Sequence, residues 1–98
     1  MPSLYERFRD AIDLAAKRDA LRQDYRHVFG TPAGQRVLAD LLGRTGVMRS
    51  AYRPRQADVT AFNEGQRRMG LYLIERINDD PAAAERLAQS GQTEELFA

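Results

Sequence analysis

The chain has 98 residues, no cysteine, and 15 Lys+Arg against 14 Asp+Glu, with 43% hydrophobic residues. Such a length and balance give one soluble domain with a modest core. They exclude a disulfide framework, a zinc ribbon and a thiol nucleophile. No apolar run approaches the ~20 residues of a membrane span, and Met1-Pro-Ser-Leu-Tyr-Glu-Arg7 lacks the pattern of a signal peptide. The chain is therefore expected in the cytosol or in an assembly built there. The net charge of +1 hides a gradient. Residues 31–70 set seven arginines against Asp40, Asp58 and Glu64, and residues 71–98 set two arginines against six acids. Lys17 is the only lysine, an arginine bias that genomic base composition produces without any functional requirement.

Ser3-Leu-Tyr-Glu6 reads as a capping box. Tyr5, Phe8, Ile12 and Ala15 or Ala16 share one face of the helix that follows. Leu21, Tyr25, Val28 and Phe29 continue the spacing with the stripe rotated past Asp19, which fits either one long bent helix or two helices joined near Lys17–Ala20. Acids and bases alternate over the remainder, the pattern of a solvated helix face. Gly30-Thr-Pro32 ends the segment, with Gly30 as a left-handed residue, Thr31 as N-cap and Pro32 at the first helical position. A second helix runs to about Gly43 and buries Val37, Leu38, Leu41 and Leu42.

Residues 43–57 are irregular, punctuated by Gly46 and Pro54. Val47, Met48 and Tyr52 are expected in the core, and Arg44, Arg49, Arg53 and Arg55 face water or a partner. Asp58 or Thr60 then caps the strongest amphipathic helix, Thr60–Ile77, whose Phe62, Gly65, Met69, Leu73 and Ile77 recur at three-and-four spacing. Two glycines, Gly65 and Gly70, each cost about 1 kcal/mol of helix propensity. The gain expected in return is close approach of another helix: Gly34 and Gly65 meeting backbone to backbone, with Leu38, Leu41, Phe62 and Met69 filling around them. Glu64 and Arg68 stand four apart, in the favourable orientation for a pair. Asp80 and Pro81 start a short helix over residues 82–88, and residues 89–98 read as a loose tail ending in an apolar hook, Leu96 and Phe97. The expected architecture is all-α, one domain over residues 1–98, with three to five helices.

Convergent chemistry is sparse. His27 is the only histidine, and no serine stands where it would complete a nucleophilic set with it. Asp79 and Asp80 look like cap residues, Glu6, Asp10 and Asp13 are interleaved with arginines, and Gly30–Gly34 lacks the Lys-Ser/Thr pair of a phosphate loop. No catalytic residue, metal ligand or cofactor is expected. Arg44, Arg49, Arg53 and Arg55 form a candidate nucleic-acid or partner contact. A helix-turn-helix reading is opposed by Pro54, which would cut the recognition helix short.

Three motifs together carry a resemblance: Tyr25-Arg-His-Val-Phe29, then Thr31-Pro-Ala-Gly-Gln-Arg-Val-Leu-Ala-Asp-Leu-Leu42, then Ala61-Phe-Asn-Glu-Gly-Gln-Arg-Arg-Met-Gly-Leu71. Over residues 25–77 the chain resembles small virion proteins of tailed phages, of the type found in Bordetella-infecting podophages. The resemblance implies a structural or accessory component of a phage particle and no catalysis. Partners are then expected among portal, tail or internal head proteins and further copies of the chain. Tyr5, Leu96 and Phe97 are candidate docking residues. The alternative is an arginine-rich DNA-binding protein.

Overall fold

A computed structural model describes residues 1–98 as four α-helices, α1 (Leu4–Phe29), α2 (Pro32–Thr45), α3 (Ala57–Ile77) and α4 (Pro81–Ser90), closed by a 3₁₀ segment, Thr93–Phe97. The expected all-α fold is the observed one. Ser3 Oγ accepts from the Glu6 N–H at 3.1 Å, and Glu6 Oε2 accepts from the Ser3 N–H at 3.2 Å, so the first helix starts on a complete capping box. α1 is a single helix, because no glycine or proline interrupts Leu4–Phe29. Gly30 closes it with a right-handed backbone, φ −78°, not the left-handed one expected. The left-handed glycines are Gly46 after α2 and Gly91 after α4, at φ 65° and 69°.

Thr31 Oγ1 accepts from the Gly34 N–H at 2.9 Å, and Asp80 Oδ1 accepts from the Ala82 N–H at 3.0 Å. Each is followed by proline at the start of its helix. α3 has no side-chain cap; Asp58 and Thr60 both fail that expectation. The Thr60 hydroxyl instead accepts from the Arg53 N–H at 2.8 Å and donates to the Arg53 carbonyl at 3.3 Å. It therefore ties the linker down rather than starting the helix.

The core comprises Leu38, Leu42, Val47, Ile74, Ile77, Ala83, Leu87 and Leu96. α2, the start of the linker after it (Val47), α3, α4 and the C-terminal segment supply all of it. α1 reaches it only through its last turns, where Tyr25 and Phe29 pack on its edge. Val47 enters the core as expected, but Met48, Tyr52 and Val37 are exposed and Leu41 is half-buried.

The C-terminus is not a loose tail. Leu96 is completely buried, the Thr93 hydroxyl hydrogen-bonds the Gln35 side chain, and the Arg26 guanidinium lies 5.4 Å from the centre of the Phe97 ring. The segment packs against α2, α3 and α4 and closes the core between them. Arg26 locks the join by donating to the Ile77, Phe97 and Leu96 carbonyls at 2.9, 3.0 and 3.4 Å. One guanidinium thereby satisfies a carbonyl at the end of α3, which has no intrahelical partner, and two in the closing segment.

The glycine contact also differs from expectation. Gly65 is exposed, and a Cβ there would meet nothing within 4 Å. Gly34 is buried against the end of α1, where its Cβ would lie 2.7 Å from the Phe29 Cα, so it tightens the α1–α2 turn rather than an α2–α3 crossing. The close approach to α3 is at Gly70, whose Cβ would stand 2.8 Å from the Val47 Cβ and 3.1 Å from the Thr45 Cβ. The buried face of α3 is accordingly Gly70, Ile74 and Ile77, turned by about one residue from the expected stripe. Phe62 and Met69, expected at the helix contact, are 66% and 57% exposed.

Candidate functional site

The longest run of exposed residues, Met1–Leu21, lies almost entirely on α1. Every residue from Leu4 to Ala20 is exposed, although Leu4, Tyr5, Phe8 and Ile12 form one apolar stripe. In a helix covered by its own chain such a stripe faces the core; here nothing within the chain covers it, and the helix stands out as an arm. Tyr5 is exposed, as expected of a docking residue. Leu96 and Phe97 are not available for docking, because they close the core.

Phe8 and Ile12, on the same helix face as Tyr5, are exposed beside it. A signal of that exposure is present in the sequence: past Ala15 the same face continues through Asp19, Arg22 and Arg26. The Arg22 Nη2 reaches the Asp79 carboxylate at 3.2 Å, and Arg26 reaches the carbonyls described above. A helix that uses polar groups to hold its own body has its apolar portion to spare.

The linker between α2 and α3 brings three of its four candidate arginines together. Arg44, Arg49 and Arg53 line a small polar cleft of about 120 Å³ with Ser50, Asn63 and Gln66, and no carboxylate lines it. None of the three is in a salt bridge. Arg49 Nη2 donates to the Gly43 carbonyl at 3.1 Å. Arg53 Nη1 donates to the Ser50 and Tyr52 carbonyls at 3.2 and 2.9 Å. These bonds orient the guanidiniums without neutralising them. Arg55 stands apart on a backbone with φ 60°, a left-handed conformation costing roughly 1–2 kcal/mol for a residue with a Cβ. Glu64 pairs with Arg67 at 3.6 Å, not with Arg68, because Arg67 lies on the same side of the helix as the groove.

That groove was not foreseen. It holds about 1280 Å³ between the linker, α3 and α4, and Met48, Tyr52, Leu71, Ile74 and Ala84 are among its lining residues. It opens because Met48 and Tyr52 remain outside the core. Its rim mixes Arg53, Arg55 and Arg67 with Glu64 and Glu85, which gives no convergent pair for chemistry.

The other titratable groups have structural settings. His27 is exposed. Asp80 caps α4, and Asp79 pairs with Arg22. Tyr25 titrates above the ordinary tyrosine value, first through its hydrogen bond with Tyr72, then through burial. No three His, Cys, Asp or Glu side chains lie where they would hold a metal ion, and no helix is long and apolar enough to cross a membrane.

Comparison with known proteins gives one match. The model of the Bbp19-like phage protein family covers residues 25–89, two-thirds of the chain: the end of α1, all of α2 and α3, and nearly all of α4. No curated protein and no solved structure matches. The arm and the C-terminal 3₁₀ segment lie outside the match, whereas the arginine linker lies within it. Over its helical body, the chain belongs to the family of Bbp19-like phage proteins.

Proposed function

We propose that this protein is a non-enzymatic structural or accessory component of a tailed-phage particle. It acts by protein–protein contact, in several copies, at the portal and tail or inside the head. The single observation behind this reading is the arm: a continuous exposed helix whose Phe8 is 66% exposed at the centre of an apolar stripe. Free in water such a face is a liability, and contact with neighbouring subunits removes it. The Bbp19-like family match supports a phage context for that contact. The test is mass spectrometry of purified virions produced with the native chain or with Phe8→Asp. The native chain is expected in the particle, and the variant is expected to be depleted from particles while remaining folded in the lysate. Absence of the native chain from virions would refute the reading.

A second reading, contact with DNA, is favoured by the cleft at Arg44, Arg49 and Arg53. Three guanidiniums with no facing carboxylate suit phosphate oxygens, and each contact would contribute about 0.9 to the slope of log affinity against log salt. Retention on duplex DNA across a salt series, beginning near ~50 mM where counterion release is strong, tests it. Arg44→Ala, Arg49→Ala and Arg53→Ala together should abolish retention. A native chain that flows through at the lowest salt excludes it.

A further inference from the structure

Two helix faces in this protein are each covered over only about a third of their length. α1 and α3 cross antiparallel: Tyr25 lies beside Tyr72, Arg26 donates to the Ile77 carbonyl at 2.9 Å, and Arg22 pairs with Asp79 at 3.2 Å. Beyond this crossing the two helices part in opposite directions, α1 through residues 20 to 4 and α3 through residues 70 to 57, where the linker packs on another side of α3. At 3.6 residues per turn, Leu4, Phe8, Ile12 and Ala15 fall within about 40° of Arg26, the α1 side chain that faces its own body. By the same count Phe62, Gly65 and Met69 fall within about 40° of Arg76, which lies 5.1 Å from the Tyr72 ring centre at the crossing. Both uncovered faces continue a helix–helix seam that already exists, and both are apolar.

We propose that a second copy of this chain supplies the missing part of each seam. The α1 arm of one protomer lies along the N-terminal half of α3 of its partner, and the reverse. The lengths agree: 17 residues of arm span about 25 Å and 14 residues of α3 about 21 Å, at 1.5 Å per residue. The area agrees as well. With ~150–250 Å² per aromatic side chain, the exposed parts of Tyr5, Phe8 and Phe62 with their aliphatic neighbours amount to roughly 700 Å² per copy. A standard interface takes about 800 Å² from each partner. Gly65 leaves open space on the receiving face, a hollow into which an arm side chain fits.

A two-fold relation covers all four faces at once and closes on itself, whereas head-to-tail addition leaves a free arm at each end. Pairing arm with arm alone would leave Phe62 and Met69 in water. In the two-fold exchange the copies are antiparallel, so the incoming arm runs parallel to the α3 it covers, with Phe8 toward Phe62 and Ala15 toward Met69.

This inference rests on the reading that the protein acts by protein contact, and it names the partner. Sedimentation equilibrium over a wide concentration series is expected to give a dimer for the native chain. Phe8→Asp and Met69→Asp should each give a monomer with an unchanged helical circular dichroism spectrum. Because the chain lacks cysteine, mixing Ala11→Cys with Gly65→Cys protein under oxidation should yield the mixed disulfide dimer. A native monomer at every concentration overturns the proposal, as does cross-linking of Ala11→Cys protein only to itself. Depletion of Phe8→Asp from virions despite a monomeric native chain would mean that the arm docks on another phage subunit. In that case self-pairing is wrong and the protein-contact reading stands. Retention of that variant in virions together with a monomeric native chain removes both.

Discussion

Gly70 and Gly65 lie in the same helix five residues apart, and the same substitution should move them in opposite directions. Alanine at either site gains about 1 kcal/mol of helix propensity over glycine. At Gly65 nothing opposes the gain, because the added methyl meets no atom within 4 Å. At Gly70 the methyl would enter the space of the Thr45 hydroxyl and lie 2.8 Å from the Val47 Cβ and 3.1 Å from the Thr45 Cβ. The two Cβ atoms are fixed to the backbone, so no rotamer change relieves the clash. α2 and the linker must move away from α3, and overpacking of this kind costs about 1–3 kcal/mol.

For a domain of this size 1 kcal/mol corresponds to about 4–8 °C in Tm. Gly65→Ala is therefore expected to raise the thermal midpoint by a few degrees and Gly70→Ala to lower it. Gly70→Val, with two more carbons at the same point, should lower it further. Thermal circular dichroism at one protein concentration in the presence of the Phe8→Asp change, which keeps self-association out of the comparison, reads the difference. If both alanine variants rise together, Gly70 is not the contact between α3 and the end of α2.

Other outcomes follow from the closing segment and the α1–α3 crossing. Leu96→Ala should cost about 2–5 kcal/mol, the range for a fully buried leucine, as read by urea denaturation; a change under ~0.5 kcal/mol, typical of surface substitutions, would restore the loose tail. Arg26→Ala removes three donor contacts and should cost about 2–4 kcal/mol, since hydrogen bonds from charged groups contribute ~1.5–3 kcal/mol apiece and share one side chain here. Its local signature is faster amide exchange over Thr93–Phe97, and Arg26→Lys should recover only part of the loss because an ammonium cannot match the planar fork. The Tyr25 phenol, raised by its Tyr72 partner and by burial, supports folding fully below the unfolded tyrosine value near 10.0 and loses that support as pH rises through the folded value. Stability should accordingly decline in the alkaline range, and Tyr25→Phe should flatten the decline.

Local chemistry made the helices legible. Ser3/Glu6, Thr31-Pro32 and Asp80-Pro81 each act within four residues of the chain, and all three starts lie where those residues place them. Legibility ended where tertiary packing chose between options that were equal in sequence. The α3 stripe from Phe62 to Ile77 has good helical spacing, yet the core took the face one residue round, because Gly70 admits Thr45 and Val47 more closely than any face carrying Phe62 or Met69 would. Hydrophobicity marks which side chains are suited to burial but not which neighbour will reach them. The five-residue segment that buries Leu96 is shorter than two helical turns, so no periodicity announced it; its anchor, Arg26, was one arginine among fourteen.

The same logic explains why the candidate site was only half visible. The spacing of Tyr5, Phe8 and Ile12 puts them on one apolar helix face, and only Tyr5 is singled out from the sequence as a docking residue. What the sequence could not show is that the domain completes its core without them. Residues 31–98 supply all eight buried hydrophobic residues, and α1 joins that body through Arg22, Tyr25, Arg26 and Phe29. An apolar stripe in excess of what the chain itself buries is a statement about a second molecule. In this protein two such stripes, Leu4–Ala15 and Phe62–Met69, lie on the two sides of one seam. That continuity makes a further copy of the same chain a better match for the arm than the open groove by Met48 and Tyr52, which is lined on its α3 side by Leu71 and Ile74, a different face from the one α1 already uses.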